Sequence, residues 1–315
     1  MNQLAIQHNY GGLLFIGDPH LSSKRIGRRI DDYTNTALNK IDQAFSTAYD
    51  NNLLPIILGD LFHRANDTDP VLLTKLFEII RKRPIEILSI VGNHDIKDTT
   101  LTENTAMSII KASGLVYVID IPQPVVIKDL CVAHFVPYGF DIPNEVSNNF
   151  KLPNIVITHH DLNFGMYSEN IIALKPIKNC RAVINGHLHV TQKPIKVGET
   201  TYFNPGNITR LTLDTVDHIP SVWIWRKNIN DLERVTLNYQ PKELVFDFTG
   251  RNIDKAETLY TANFVETLKK DIANTVQTQD GSVLKEQIDK LIAEKNVSKD
   301  VSAIIYGLLS QALAD

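Results

Sequence analysis

Five times along this chain a short apolar run stops on side chains that can bind a metal ion. The run 12–17 ends in Asp18-Pro19-His20, and the run 54–59 ends in Gly59-Asp60-Leu61-Phe62-His63. The run 85–91 leads into Gly92-Asn93-His94-Asp95, 155–158 into His159-His160, and 182–185 into Gly186-His187-Leu188-His189. Short apolar runs bounded in this way predict buried strands. In an α/β fold, ligands bind at the carboxyl ends of strands, so residues far apart in sequence converge on one sheet edge. Asp-x-His and His-x-His also place both side chains on one side of an extended segment. Aspartate, asparagine and histidine supply oxygen and nitrogen donors without thiolate, a set suited to manganese, iron or zinc rather than calcium. The candidates Asp18, His20, Asp60, Asn93, His159, His187 and His189 exceed what one ion needs, so two ions sharing a carboxylate are expected.

Helices alternate with the first strands. Apolar or small residues at Ala37, Ile41, Ala44, Phe45 and Ala48 predict a helix over about 32–49. A second is expected over 71–80, with Pro70 in its first turn. Such alternation predicts parallel pairing. After Gly114 short β-rich runs follow one another at 116–119, 125–127, 131–135, 155–158, 182–185, 200–203, 222–225, 235–237 and 244–248. They predict a second sheet packed on the first. From about residue 251 the pattern turns helical, with Tyr260, Phe264, Leu268 and Ile272 four apart and two further stretches after Ser282 and Ser298. The expected organisation is a domain over 1–250 and a helical appendage over 251–315.

Composition narrows the class. The chain has 315 residues, 43% hydrophobic and 22% charged, with a net charge of −4. That balance excludes wholesale disorder and fibrous folds. No apolar run approaches the roughly 18 residues of a membrane span, so no membrane association is expected. The first residues lack a basic n-region and long apolar core, so no signal peptide is expected. Cys131 and Cys180 cannot form a disulfide framework. A reducing, cytoplasmic setting is expected. The Asn-x-Ser/Thr triplets at Asn66, Asn207 and Asn296 then read as chance.

The ordered series Asp-x-His, Gly-Asp-x-x-His, Gly-Asn-His-Asp, His, Gly-His-x-His resembles the calcineurin-like metallophosphoesterases over roughly residues 12–250. The resemblance implies an α/β fold of two mixed sheets sandwiched between flanking helices. It implies Asp18, His20 and His189 on one divalent ion, Asn93, His159 and His187 on the other, and Asp60 between them. Manganese is the metal implied, with iron, zinc or magnesium as alternatives. A hydroxide shared by the two ions would attack phosphorus in line. His94 would protonate the leaving oxygen or stabilise the charged phosphate, and Asp95 would orient His94. The Gly-Asp-Leu-Phe-His form is similar to the second motif of SbcD-type nuclease subunits of double-strand-break repair complexes. Residues 203–210 are similar to their Tyr-x-Gly-Ser-x-x-Arg segment, with Asn207 where those nucleases usually carry serine. His63 would then help to place a DNA phosphate, and Arg210 would bind one.

Bland alternatives stand beside these roles. Asp95 could cap the following helix, and His63 could be a satisfied surface histidine. Of the adjoining His159 and His160, only one can face the metals, and the family pattern selects His159. His134 reads as a core residue. Lys24, Arg25, Arg28 and Arg29 could receive a nucleic-acid backbone or form a solvated helix start. Arg81, Lys82 and Arg83 end a helix, where positive charge is favoured anyway. The nuclease resemblance further implies DNA and an SbcC-like coiled-coil ATPase, docked by the C-terminal helices, as partners. Those helices could instead pack on their own core or make a homodimer. A phosphodiesterase or phosphoprotein phosphatase with another substrate, or a non-catalytic scaffold, would share the same signature.

Overall fold

A strand that is apolar at every position needs cover on both faces, and the runs that lead into the candidate ligands are of this kind. The computed structural model describes residues 4–147, 151–165, 171–227 and 231–249. Its elements run β1 (Ala5–Ile6), β2 (Gly12–Ile16), α1 (Tyr33–Asp50), β3 (Leu53–Ile57), α2 (Pro70–Arg81), β4 (Leu88–Ile90), α3 (Ala106–Ser113), β5 (Tyr117–Ile119) and β6 (Gln123–Ile127). There follow β7 (Cys131–Val136), β8 (Asn154–Thr158), β9 (Ala182–Asn185), β10 (Ile195–Val197), β11 (Thr200–Phe203), β12 (Ser221–Trp225), β13 (Glu233–Thr236) and α4 (Lys242–Val245). Every residue of β2, β3, β4, β8 and β9 is buried.

Two mixed sheets result, ordered β13-β12-β2-β3-β4-β5 and β1-β6-β7-β8-β9-β11-β10. β2 to β5 pair in parallel, as do β7, β8, β9 and β11. Alternate residues point opposite ways. Leu13, Phe15, Leu54 and Ile56 face the other sheet and meet Ala133, Phe135, Ile155, Ile157 and Ile184. Leu14, Ile16 and Ile57 face outward and meet Ala37, Ile41 and Phe45 of α1, Leu72 and Leu76 of α2, and Met107 and Ile110 of α3. On the far side, Val136, Val156, Val183 and Tyr202 lie beneath Val146, Leu162, Ile177 and Cys180. Helices therefore cover one sheet. Among the described residues, connecting segments cover the other.

The helices start where their caps dictate. The Asp32 carboxylate accepts from Asn35 N at the head of α1, and Asp69 accepts from Val71 N and Leu72 N ahead of Pro70. At the end of α2, Lys82 and Arg83 both pair with Asp42, at 2.8 and 2.7 Å, so this basic run is structural.

Several expectations need correction. The run 244–248 is not a strand. Lys242–Val245 forms a helical turn after Pro241, and Phe246 makes an isolated bridge to Arg29. The third strand is shorter than 85–91. The helix α3 escaped the periodicity, since only Ala106, Met107 and Ile110 of its eight residues are buried. Its ends are nonetheless marked by Thr105 as cap and Gly114 at φ +68°. The described fold belongs to the unit Met1–Asp247. The helical appendage over 251–315 lies outside the described residues. Cys131 and Cys180 are buried and unpaired. Among the described residues no helix is long and apolar enough to cross a membrane.

Candidate metal centre

The segments beyond the strand ends continue to pair where the strands stop. His20 N donates to Asp60 O (2.9 Å), Leu21 N to Leu61 O (2.8 Å) and His63 N to Leu21 O (2.8 Å). Gly186 N reaches Thr158 O (2.9 Å), Asn207 N reaches His189 O (2.9 Å) and Ile208 N reaches Gly17 O (3.0 Å). These bonds hold the ends of β2, β3, β8 and β9 together. The turns are strained. Asp18, His20, Asp60 and His187 adopt φ of +25°, +46°, +47° and +72°. Left-handed backbone at a non-glycine residue costs of order 1–3 kcal/mol and persists only where the surroundings over-determine it.

The approach is also too close for a side chain at Gly186. A Cβ there would lie 2.2 Å from Leu58 O, 2.7 Å from His159 Nδ1 and 2.8 Å from Asp18 Oδ1. Gly186→Ala is expected to lower the melting temperature by on the order of 5–10 °C, as overpacking a rigid backbone contact does. Thermal unfolding followed by circular dichroism would check this, and an unchanged midpoint would mean that the two strand ends yield freely.

Into this frame the candidate ligands converge. Asp18, His20 and His189 form one group able to hold an ion, and Asp60, His159 and His187 another, with ligand atoms within 4.8 Å of one another in each. His20 Nε2 and His189 Nε2 lie 3.0 Å apart. Asn93 Oδ1 lies 3.0 Å from both His159 Nε2 and His187 Nδ1. Asp60 Oδ2 stands between the groups, 3.6 Å from His20 Nε2 and 3.3 Å from His159 Nε2.

Chemistry tests whether cations fit. Among the described residues, both carboxylate oxygens of Asp18, Asp60 Oδ2 and His20 Nδ1 are buried without a hydrogen bond. Buried polar atoms are rarely left so. His159 Nδ1 lies 2.7 Å from the Leu58 carbonyl, which only accepts, so this nitrogen carries the hydrogen. Its Nε2 then turns a lone pair toward the oxygens of Asp60 and Asn93. Acceptors facing acceptors require a positive charge among them. Without an ion, His159 itself supplies one. Burial lowers its pKa, but Asp60 and Asp18 outweigh burial and raise it to about 10. Burial raises the pKa of Asp60, yet His159 and His20 outweigh it and hold this carboxylate below the usual range. Burial, with Asp60 beside it, raises Asp18 to about 7. Burial, then the neighbouring His159, holds His187 down to about 4, and burial likewise holds His189 at about 4. Burial lowers His20 well below its usual value. These three imidazoles are neutral at pH 7 and have lone pairs ready for a metal. The donor set fits two divalent cations.

The other predicted residues divide. His94 Nδ1 lies 2.8 Å from the carbonyl of His63, so Nδ1 is the protonated nitrogen and Nε2 remains available. The His94 ring packs edge-on to His20 at 4.9 Å and stacks with His63 at 5.6 Å. His20, His63 and His94 form a further group of ligand atoms within 4.8 Å of one another. Asp95 does not orient His94. Its carboxylate turns inward, fully buried, and accepts from Gly92 N (2.9 Å) and Phe62 N (3.2 Å). It ties the β3 loop to the β4 loop instead. His160 is occupied by Thr158 Oγ1 and Phe140 O. Asn185, which the sequence did not single out, bonds both backbone polar groups of His160 and so fixes the neighbouring His159. Tyr138 was also missed. Its ring centroid lies 6.3 Å from that of His187 and 6.4 Å from that of His159, and no motif announces it.

Basic residues separate by burial. Lys24 and Arg25 are exposed and, with Arg64 and His63, line a cavity of about 180 Å³. Arg28 pairs with Asp247 at 3.5 Å. Arg29 is buried and doubly bonded to Asp31. Arg210 is buried, and its guanidinium bonds the carbonyls of Val216 and Gln240. The expected phosphate contact is not where its hydrogen bonds point.

Residues 12–191, more than half of the chain, match the family model described as calcineurin-like phosphoesterase. No curated protein matches the sequence. Two crystal structures of proteins from Thermus thermophilus are similar to the chain. One is TT1561, with 11% identity, 73% of this chain and 100% of that chain covered, and a TM-score of 0.44. The other is a hypothetical protein, with 12% identity, the same coverage and a TM-score of 0.42.

Proposed function

The chain belongs to the calcineurin-like phosphoesterase family, and from that premise we propose that it is a manganese-dependent nuclease acting on DNA in repair or recombination. The observation that carries the choice of substrate is the cavity lined by Lys24, Arg25, Arg64 and Asp67 together with His63, which is also a member of the histidine cluster. A local basic patch suits a polyanionic strand even on a chain with a net charge of −4. The Gly-Asp-Leu-Phe-His form of the second motif supports the same reading.

Asp18, His20 and His189 would hold one ion, and Asn93, His159 and His187 the other, with Asp60 shared. When bound, divalent ions supply a Lewis acid for the phosphate and acidify water. The chain's own residues do the rest. Lys24 and Arg25 bind backbone phosphates. The His63 carbonyl accepts from His94 Nδ1–H and fixes the ring. In the imidazolium form a second proton, taken from water, sits on Nε2, and that proton would pass to the departing oxygen. Burial, then the charges of His94 and Arg64, lowers the pKa of the His63 imidazole, so it meets a phosphate as a neutral group. Residues 251–315 would dock an SbcC-like ATPase.

The test is incubation of the full chain with Mn²⁺ and end-labelled linear double-stranded DNA. Release of labelled nucleotides, abolished by chelation, is expected. Inert DNA with bis(p-nitrophenyl) phosphate still cleaved would sink the DNA assignment and leave a phosphodiesterase with another substrate. Silence on both, with two ions bound, would favour a scaffold.

A further inference from the structure

Away from the metal centre, a cavity of about 270 Å³ opens between α1 and the segment 238–245. Three cations line it, and all are buried: Arg29, Lys40 and Arg210 are 2%, 3% and 5% exposed. Only Arg29 is matched by a carboxylate, with Nε 2.9 Å and Nη2 2.6 Å from the two Asp31 oxygens. Lys40 Nζ donates to the Asn238 carbonyl and lies 5.7 Å from the Tyr239 ring centroid. Arg210 has the carbonyls of Val216 and Gln240 and the same ring at 5.2 Å. Among the described residues neither Lys40 nor Arg210 forms an ion pair. Asp31 and the exposed Glu243 bear on Arg210 through space without pairing with it. Thr209 Oγ1 lines the same cavity, buried and without a hydrogen bond among the described residues.

Burying cations without counter-charge is costly, and carbonyl dipoles offset only part of the cost. Burial, then the charges of Arg210 and Arg29, lowers the Lys40 pKa to about 8, which still leaves an ammonium at neutral pH. With three cations and one carboxylate, Asp31, the lining carries an excess of two positive charges, which a divalent anion would offset. An ammonium beside a guanidinium is the usual grip on phosphate. The space exceeds the roughly 30 Å³ share of a water molecule several times over.

We propose that this cavity binds a phosphate-type oxyanion between Lys40 and Arg210, with Thr209 as a neutral donor. The group is either free inorganic phosphate or the phosphate of a mononucleotide. The proposal does not depend on which substrate the metal centre cleaves.

The test uses the full chain stripped of divalent ions with EDTA, so that phosphate has no metal to bind. Melting temperature is followed against inorganic phosphate, with chloride at equal ionic strength as control. A phosphate-dependent rise is expected for the wild type, absent with chloride. Lys40→Met removes one buried charge. It is expected to melt no lower than wild type without phosphate and to bind phosphate about tenfold more weakly or worse. Asn39→Asp puts a carboxylate on the exposed rim of the cavity. It is expected to raise the phosphate-free midpoint and blunt the phosphate response. A wild type insensitive to phosphate, or an equal rise in all three proteins, would overturn the proposal. Adenosine monophosphate in place of phosphate separates the two sources. A larger shift assigns a nucleotide phosphate, and an equal or smaller one assigns the free ion.

Discussion

Asp60→Asn is expected to slow hydrolysis of bis(p-nitrophenyl) phosphate by at least about a thousandfold, roughly 4 kcal/mol of transition-state stabilisation. It should also leave the protein with no more than one tightly bound ion. Asp60 Oδ2 lies close to the imidazole Nε2 of both groups, at 3.6 Å from His20 and 3.3 Å from His159. This oxygen has no hydrogen bond among the described residues. Asparagine keeps the size of the side chain, and its Oδ1 can keep the 2.8 Å bond from His94 N. Only the charge is lost, and the charge is what two cations at close range require. Metal content by mass spectrometry, read beside turnover and circular dichroism, checks the expectation. Two ions retained with turnover within tenfold of wild type would show that Asp60 is not shared between them.

Much of this centre was legible because its ligands lie next to buried strands. A run such as Leu13-Leu14-Phe15-Ile16 is apolar at every position, so it belongs inside an α/β sandwich, and a polar residue at its carboxyl end has few places to go. Side-chain direction beyond that end was not legible. Asp18, His20 and Asp60 turn through left-handed backbone that no local propensity favours, and tertiary hydrogen bonds hold them there. The same blindness explains Asp95, which sits one residue from His94 but points into the core, toward backbone donors of another loop. It explains Arg210, whose motif suggested a phosphate while its partners are carbonyls reached only after the chain folds back. The helix α3 was hidden for a different reason. Eight residues with three buried positions carry too little periodicity, and only the caps betray it. The run 244–248 reads as β by composition, yet its pairing amounts to the isolated bridge from Phe246 to Arg29.

His94→Ala offers the sharper test of mechanism, because its effect should depend on the leaving group. An alkoxide leaving from DNA needs a proton far more than p-nitrophenolate does. If Nε2 of His94 supplies that proton, DNA cleavage should fall by about 10²–10⁴-fold while bis(p-nitrophenyl) phosphate hydrolysis falls by no more than about tenfold. Both ions should remain. The hydrogen bond from Nδ1 to the His63 carbonyl is what leaves Nε2 for this work, since an imidazole fixed at one nitrogen offers its other to solvent or substrate. Equal losses on both substrates with both ions retained would mean that His94 stabilises charge on the phosphate itself rather than on the departing oxygen. Loss of an ion would carry a third meaning. His20, His63 and His94 present ligand atoms within 4.8 Å of one another, and a vanished ion would place His94 among the ligands, leaving the proton to water or to His63.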